Sequence, residues 1–268
     1  MDANCNRREF KFLIRPELEP VTRNVIAGFL APDRGLSSGY VVLTEYFDSS
    51  DLLCHWQKID GIPNRRRLRS RIYVDPTGQH ESVAFIEIKH KLDGLTVKRR
   101  TISTPEEVAT FSSGGVLAPR THNCEKVRHE ITRLTSRHQL SPRAQIRYHR
   151  HAYDNGPEGT LRITFDHDIR CRVAELRPLS VNDSDFEIPL APGGRSLMEV
   201  KTIGPVPSWF RRLCGTLALT PGSFSKYSAA LGMTPKSDDI PRTCRRSSCP
   251  APQHSPITQT SIHHTINT

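Results

Sequence analysis

Alternation of charge and hydrocarbon along short extended segments restricts the fold of this chain more than any other feature. In RRRLRSRIYV, residues 65–74, five arginines occupy the seven positions from 65 to 71. A β-strand sends successive side chains to opposite faces. Arg65, Arg67, Arg69, Arg71 and Tyr73 therefore share one face, and Leu68, Ile72 and Val74 the other. The division recurs in FIEIKHK, where Glu87, Lys89 and Lys91 oppose Ile86 and Ile88, and in LTVKRRTI, which groups Lys98 with Arg100. In RITFD it sets Arg162, Thr164 and Asp166 against Ile163 and Phe165, and in LMEVK it sets Glu199 and Lys201 against Met198 and Val200. Arginines two apart on a strand sit roughly 6–7 Å from each other. Each such pair repels by about 2–2.5 kcal/mol at an effective dielectric near 20, against ~0.6 kcal/mol in bulk water. A solvated face tolerates that repulsion and is the simpler reading of any single strand. Repetition over several strands favours an enclosed face, which needs an anion.

The rest of the chain supplies the cover. Amphipathic spacing predicts a helix over 17–30, with Leu18, Val21, Val25, Ile26 and Phe29 on its apolar side. Further helices are expected over 124–138, 207–217 and 221–231, and Thr104-Pro105-Glu106-Glu107 has the cap, proline and acids of a helix start. Strands are expected over 8–14, 40–47, 65–74, 82–91, 95–102, 144–153, 160–166 and 196–202, with Asp93-Gly94 as a hairpin turn. Helices packed on the apolar strand faces leave the charged faces to look inward. The expected fold is α+β: an antiparallel closed β-barrel of about eight strands, helices outside and an ionic lumen within. It occupies residues 1–233. From residue 234 the chain turns to Pro, Ser, Thr and His, which predicts a disordered tail over 234–268. Cys244, Cys249, His254 and His263-His264 in that tail match no zinc spacing.

Composition narrows the partners. A formal net charge of +10 points to polyanions. MDANCNRREFKF lacks the apolar run of an export signal. No apolar run approaches the ~18 residues of a membrane span, so a soluble protein is expected. Seven cysteines, scattered without a CxxC pair, suit a reducing cytoplasm. General nucleic-acid binding fits the charge but finds no RNP-like aromatic platform or recognition helix.

The ordered segments REFKF, TEYFDSSDL leading to RLRSRIY, FIEIKHK, VKRR, YHRHAY, LRITFD, LMEVK and FSKY, spread from Arg8 to Leu231, resemble the VTC (vacuolar transporter chaperone) polyphosphate polymerase domain of the triphosphate tunnel metalloenzyme (CYTH-like) superfamily. That resemblance implies a tunnel and transfer of the terminal phosphoryl group of ATP to a growing inorganic polyphosphate chain, with Mn²⁺ or Mg²⁺. By the same resemblance the phosphate- and ATP-binding residues are Lys11, Arg69, Arg71, Lys89, Lys98, Arg150, Arg162, Lys201 and Lys226. Arg69, Arg71, Lys89, Glu199 and Lys226 form the expected catalytic set. Glu199 is the leading metal ligand, and Glu9 and Glu87 are weaker candidates for holding metal or water. The eukaryotic polymerase belongs to a membrane complex, so a separate membrane subunit is an implied partner.

Phosphoryl transfer needs alignment and charge neutralisation more than a single nucleophile, which suits a many-cation set. Relatives that hydrolyse or cyclise typically open with Glu-x-Glu-x-Lys, whereas Arg7 stands at the first acidic position here, before Glu9 and Lys11. That departure favours the polymerase, with a triphosphatase acting on tripolyphosphate or nucleoside triphosphate and a non-catalytic polyphosphate-binding accessory subunit as alternatives. Each residue also has a plain structural reading. Arg69 and Arg71 could belong to a solvated face, Glu199 to an ordinary salt bridge and Lys226 to an exposed helix. Asp166 could be another ligand but reads first as a turn or cap at a strand end, Arg147 reads as an external arginine, and Trp56 and Trp209 read as packing between helices and barrel, with adenine stacking as the lesser alternative.

Overall fold

The computed structural model describes residues 7–75, 83–93, 95–118, 122–156, 159–181 and 184–232. The predicted tail over 234–268 lies outside them. Strands β1 (Arg7–Ile14), β2 (Ala31–Pro32), β3 (Tyr40–Asp48), β4 (Arg65–Val74), β5 (Val83–Leu92), β6 (Leu95–Ser103), β7 (Ser141–Asp154), β8 (Leu161–Arg172), β9 (Ile188–Pro189) and β10 (Ser196–Ile203) form one sheet. Its main path runs β1-β10-β8-β7-β3-β4-β5-β6, antiparallel at every step, with β2 on β7 and β9 on β8. The helices are α1 (Glu19–Ala27), α2 (Leu53–Ile59), α3 (Pro105–Ser112), α4 (His122–His138), α5 (Ser208–Thr216) and α6 (Lys226–Leu231).

The sheet is curled into a half-barrel. Closure was expected, but among the described residues β1 and β6 do not pair. Both edges carry basic runs, Arg7-Arg8 on β1 and Lys98-Arg99-Arg100 on β6, and like charges placed side by side oppose pairing. The β1 edge is met instead by the segment before α6, where Gly222 N donates to Lys11 O at 2.8 Å. A cleft of about 380 Å³ lies at this seam, lined by Lys11, Arg15, Arg195, Leu197 and Phe224 among others.

Two apolar clusters lie outside the curl. Leu43, Leu68, Ile72, Ile86 and Ile88 pack under Val108 and Phe111 of α3 and Ile131 of α4. Phe12, Ile163, Phe165, Met198 and Val200 pack under Ile26 of α1 and Phe210 and Leu213 of α5. A third cluster lies inside, where Tyr46, Ile146, Tyr148 and Leu197 meet Tyr227, Ala230 and Leu231 of α6. The interior is thus ionic around β4, β5 and β10 and apolar where α6 fills it, rather than ionic throughout.

Local chemistry explains the element ends. Thr104 and Glu107 form a reciprocal capping box that starts α3. Ser225 accepts from Ser228 N and starts α6 at Lys226, so the helix predicted over 221–231 forms only in its second half. Asp48 accepts from Cys54 N at 2.8 Å and His55 N at 2.9 Å, which holds α2, an element that hydrophobic periodicity did not reveal. The expected apolar side of α1 is also corrected. Val21, Val25 and Phe29 are exposed, while Glu19, Thr22 and Ile26 face the sheet. Glu19 turns inward because a serine and a histidine await it there: Ser196 Oγ donates to its carboxylate and His167 Nδ1 lies 3.2 Å away.

Candidate functional site

The arginine face of β4 looks into the curl. Arg69 is paired in register with Glu87 on β5 and reaches its carboxylate through Nε at 2.9 Å and a terminal nitrogen at 2.8 Å. Lys98 Nζ, on β6, lies 2.8 Å from the other oxygen of Glu87, a residue with no solvent exposure. Burial pushes the Glu87 carboxyl up, and Arg69, Arg71 and Lys98 together hold it far below its ordinary value. Arg71 is buried yet makes no ion pair among the described residues; it donates to Thr44 Oγ1 at 3.2 Å and Tyr73 Oη at 3.1 Å.

A second group stands on β7, β8 and α6. Arg150 grips Asp166 with two hydrogen bonds, at 2.6 and 2.7 Å, and Lys226 Nζ donates to the same carboxylate. Asp166 is fully buried in mid-strand, not at a strand end. Its expected role as a turn or cap residue is corrected, because β8 continues to Arg172 across a bulge at Asp168, whose φ is 46°. Burial raises and the two cations lower the Asp166 carboxyl, and the net direction is down. Tyr148 lies beneath both cations, with Lys226 Nζ 4.6 Å and the Arg150 guanidinium 5.2 Å from its ring centroid.

A third group joins β1 and β10. The Glu199 carboxylate sits between Lys11 Nζ and Lys201 Nζ, each at 3.3 Å, and Lys11 also lies 3.6 Å from Glu9. Burial opposes ionisation of Glu199, but Lys226, Lys201, Lys11 and Arg150 overcome it and hold the group well below its ordinary value. Glu199 is therefore a carboxylate at neutral pH. With Glu9 nearby it offers hard oxygen donors of the kind that Mg²⁺ or Mn²⁺ takes, in a pair of acids that leaves most coordination positions to water or phosphate.

The three groups meet across the curl. Lys89 on β5 makes no ion pair among the described residues, yet Glu9, Lys11 and Glu199 on the far strands act on it along with Arg69. Burial, then Arg69 and Lys11, outweigh the acids, and its ammonium is driven below its ordinary value. Tyr148 Oη and Thr164 Oγ1 are buried on the same surface and have no hydrogen-bond partner among the described residues. Arg162 stands apart, tied to Asp33 at 2.6 Å and Asp154 at 3.1 Å.

Of the residues singled out in the sequence, Lys11, Arg69, Arg71, Lys89, Lys98, Arg150, Glu199, Lys201 and Lys226 share this interior surface, as their mutual electrostatic influence requires. Arg147 lies apart and pairs with Asp168 at 3.5 Å. Trp209 stacks on Phe29 at 4.4 Å and joins α5 to the end of α1, while Trp56 packs against the inner cluster. Sequence reading set Asp166 aside and placed Arg67 and Tyr73 on the arginine face without assigning them to the site, and it missed Lys58 and the other interior tyrosines. Arg67 was visible in the arginine row, whereas Lys58 belongs to the unrecognised α2 and is drawn down by burial, Arg67, Lys11 and Arg65.

The VTC domain description matches residues 6–234. The chain belongs to the VTC domain family. Comparison with curated proteins returns no significant match. Solved structures similar to this VTC domain include an adenylate cyclase candidate from Bacillus halodurans, 11% identical over 82% of this chain and 95% of that one, TM-score 0.46. The PH1819 protein of Pyrococcus horikoshii OT3 is 12% identical over 85% of this chain and 99% of that one, TM-score 0.46. HpAC1 from Hippeastrum, described as a proposed adenylyl cyclase with a dominant triphosphatase activity, is 15% identical over 86% and 98%, TM-score 0.48. No helix among the described residues is long and apolar enough to cross a membrane.

Proposed function

We propose that this VTC domain is an ATP-dependent polyphosphate polymerase. The observation that carries the reading is the inward convergence of cations from seven elements, with Arg71 buried, Lys89 half-buried and neither in an ion pair among the described residues. A chain of phosphates supplies a row of oxygens to such a surface, with arginine forks and lysine point charges as donors. Arg69 and Arg71 bind along one wall, Arg150 and Lys226 along the other, with Lys11, Lys89, Lys98 and Lys201 between. Arg162 acts at the rim. An oxygen of the terminal phosphate of the acceptor chain bonds to the γ-phosphorus of ATP, the bond from that phosphorus to the β,γ-bridging oxygen breaks, and ADP departs. The chain's residues align the two ends and neutralise the charge that spreads over the transferring group. Glu199, with Glu9 beside it, would hold Mn²⁺ or Mg²⁺, which would supply further charge neutralisation.

Cys54, Cys171 and Cys214 are free thiols, which supports a reducing, cytoplasmic location. A separate membrane subunit would be needed for any coupling to transport. The test is incubation of the full chain with ATP and Mn²⁺ and resolution of the products by gel. Long acid-labile chains are expected, and Glu199→Ala abolishes them while sparing tripolyphosphate binding. Orthophosphate as the only product would assign a triphosphatase instead. Binding without turnover would assign the accessory role.

A further inference from the structure

On the outer wall, the residues that alternate with the tunnel groups form a second cluster. His149 and His151 flank Arg150 on β7, and His167 follows Asp166 on β8, so all three imidazoles point away from the lumen. Their ring centroids are 4.7 to 5.0 Å apart, and one potential ligand atom from each lies within 4.8 Å of the others. His149 Nδ1 and His167 Nε2 are already 2.6 Å apart. We propose that His149, His151 and His167 bind a borderline divalent transition metal of the zinc class, at a site distinct from the phosphate tunnel.

Three neutral imidazoles with a fourth position left to solvent are a common zinc ligand set. At ordinary Zn–N lengths the nitrogens of a tetrahedral site stand about 3.3 Å apart. The His149–His167 pair therefore spreads by less than an ångström, and none of the three separations has to shorten by more than roughly 1.5 Å. The surroundings orient the donors. The Glu19 carboxylate, itself buried and held by Ser196, lies 3.2 Å from His167 Nδ1 and so leaves Nε2 directed at the cluster. A carboxylate behind a histidine is the usual second partner of a metal-bound imidazole. Gly39 makes room for His149: a Cβ there would lie 2.8 Å from His149 Cε1 and 2.4 Å from Arg150 O.

Arg23 opposes the metal. Its terminal nitrogen donates toward His151, 2.9 Å from Nδ1 and 3.2 Å from Nε2, and must swing away when a cation enters. Arg23 is partly exposed, with Glu19 at 3.4 Å as its other partner, so the swing carries its guanidinium outward to solvent.

The test is a Zn²⁺ titration of the full chain against a chromophoric chelator, with Co²⁺ visible absorption reporting geometry. Wild type is expected to take up one more equivalent than His151→Asn or His167→Asn, and to show a tetrahedral Co²⁺ spectrum those variants lack. Glu19→Gln weakens the site about 10- to 100-fold, Arg23→Met tightens it, and Glu199→Ala leaves it unchanged. Circular dichroism confirms that each variant is folded, and Arg23→Met tests the site with all three ligands in place. Equal uptake by wild type and both histidine variants, or no tightening in Arg23→Met, overturns the proposal and assigns any bound metal elsewhere, the Cys/His-containing tail included.

Discussion

Replacing Asp166 by asparagine should unfold the protein more easily and make its stability unusually responsive to oligophosphate. Asp166 is fully buried, and the Arg150 and Lys226 side chains that hold it are each 9% exposed. At an effective dielectric near 20, charges 2.6 Å apart attract by about 6 kcal/mol. Most of that is offset by the cost of keeping the groups from water, and removal of one partner from a buried pair costs about 3–5 kcal/mol net. For a domain of this size each kcal/mol lowers Tm by about 2–4 °C, so a drop of roughly 6–20 °C is expected. Arg150 and Lys226 in Asp166→Asn lack the Asp166 carboxylate, and on the proposed function a phosphate chain bound along the inner face would replace it. Differential scanning calorimetry with and without tripolyphosphate should therefore give a larger ligand-induced rise in Tm for Asp166→Asn than for wild type. A variant as stable as wild type, or one whose response to tripolyphosphate is no larger, would refute the reasoning.

Three other outcomes test the interior directly. Arg71→Lys keeps the charge but loses the fork that reaches Thr44 and Tyr73, and should weaken tripolyphosphate binding at least about tenfold by isothermal calorimetry. Burial raises the Tyr73 phenol, but Arg71 and Arg150 bring it down to about 8, so ultraviolet titration should find an early phenolate that Tyr73→Phe lacks. Bound tripolyphosphate should push that ionisation up again, and an unchanged titration would place the anion elsewhere. The Lys89 ammonium is depressed in the free protein and is restored by a phosphate beside it, so binding takes up a proton once pH exceeds the free value. Affinity should be level below that point and fall above it, and Lys89→Arg should flatten the fall.

Period-two alternation made β4, β5 and β10 legible, because each keeps one parity from end to end and its apolar face packs under helices. β8 was legible only to Asp166. Beyond it the bulge at Asp168 swaps the faces, so Ile169 and Cys171 turn inward where His167 had pointed out, and the alternation no longer reads as one strand. That break also disguised Asp166. α1 was misread for a different reason: Val21, Val25 and Phe29 form an apolar stripe, yet burial of Glu19 against Ser196 and His167 set its orientation. α2 was missed because the Asp48 carboxylate, accepting from Cys54 N and His55 N, holds it rather than an apolar stripe, and that carboxylate is itself fixed by Tyr227 Oη at 2.7 Å, far along the chain. The basic members of the site were legible from strand parity and family resemblance, but their partners were not, since pairs such as Lys226 with Asp166 exist only after α6 folds into the curl.

Co-crystallisation with tripolyphosphate tests the central claim most directly. The account predicts phosphate density along the inner face, between Arg69 and Arg71 on one side and Arg150 and Lys226 on the other, with Glu199 beside its terminal oxygens. Phosphate on the outer wall, or a protein that shows none inside at saturating ligand, would contradict it.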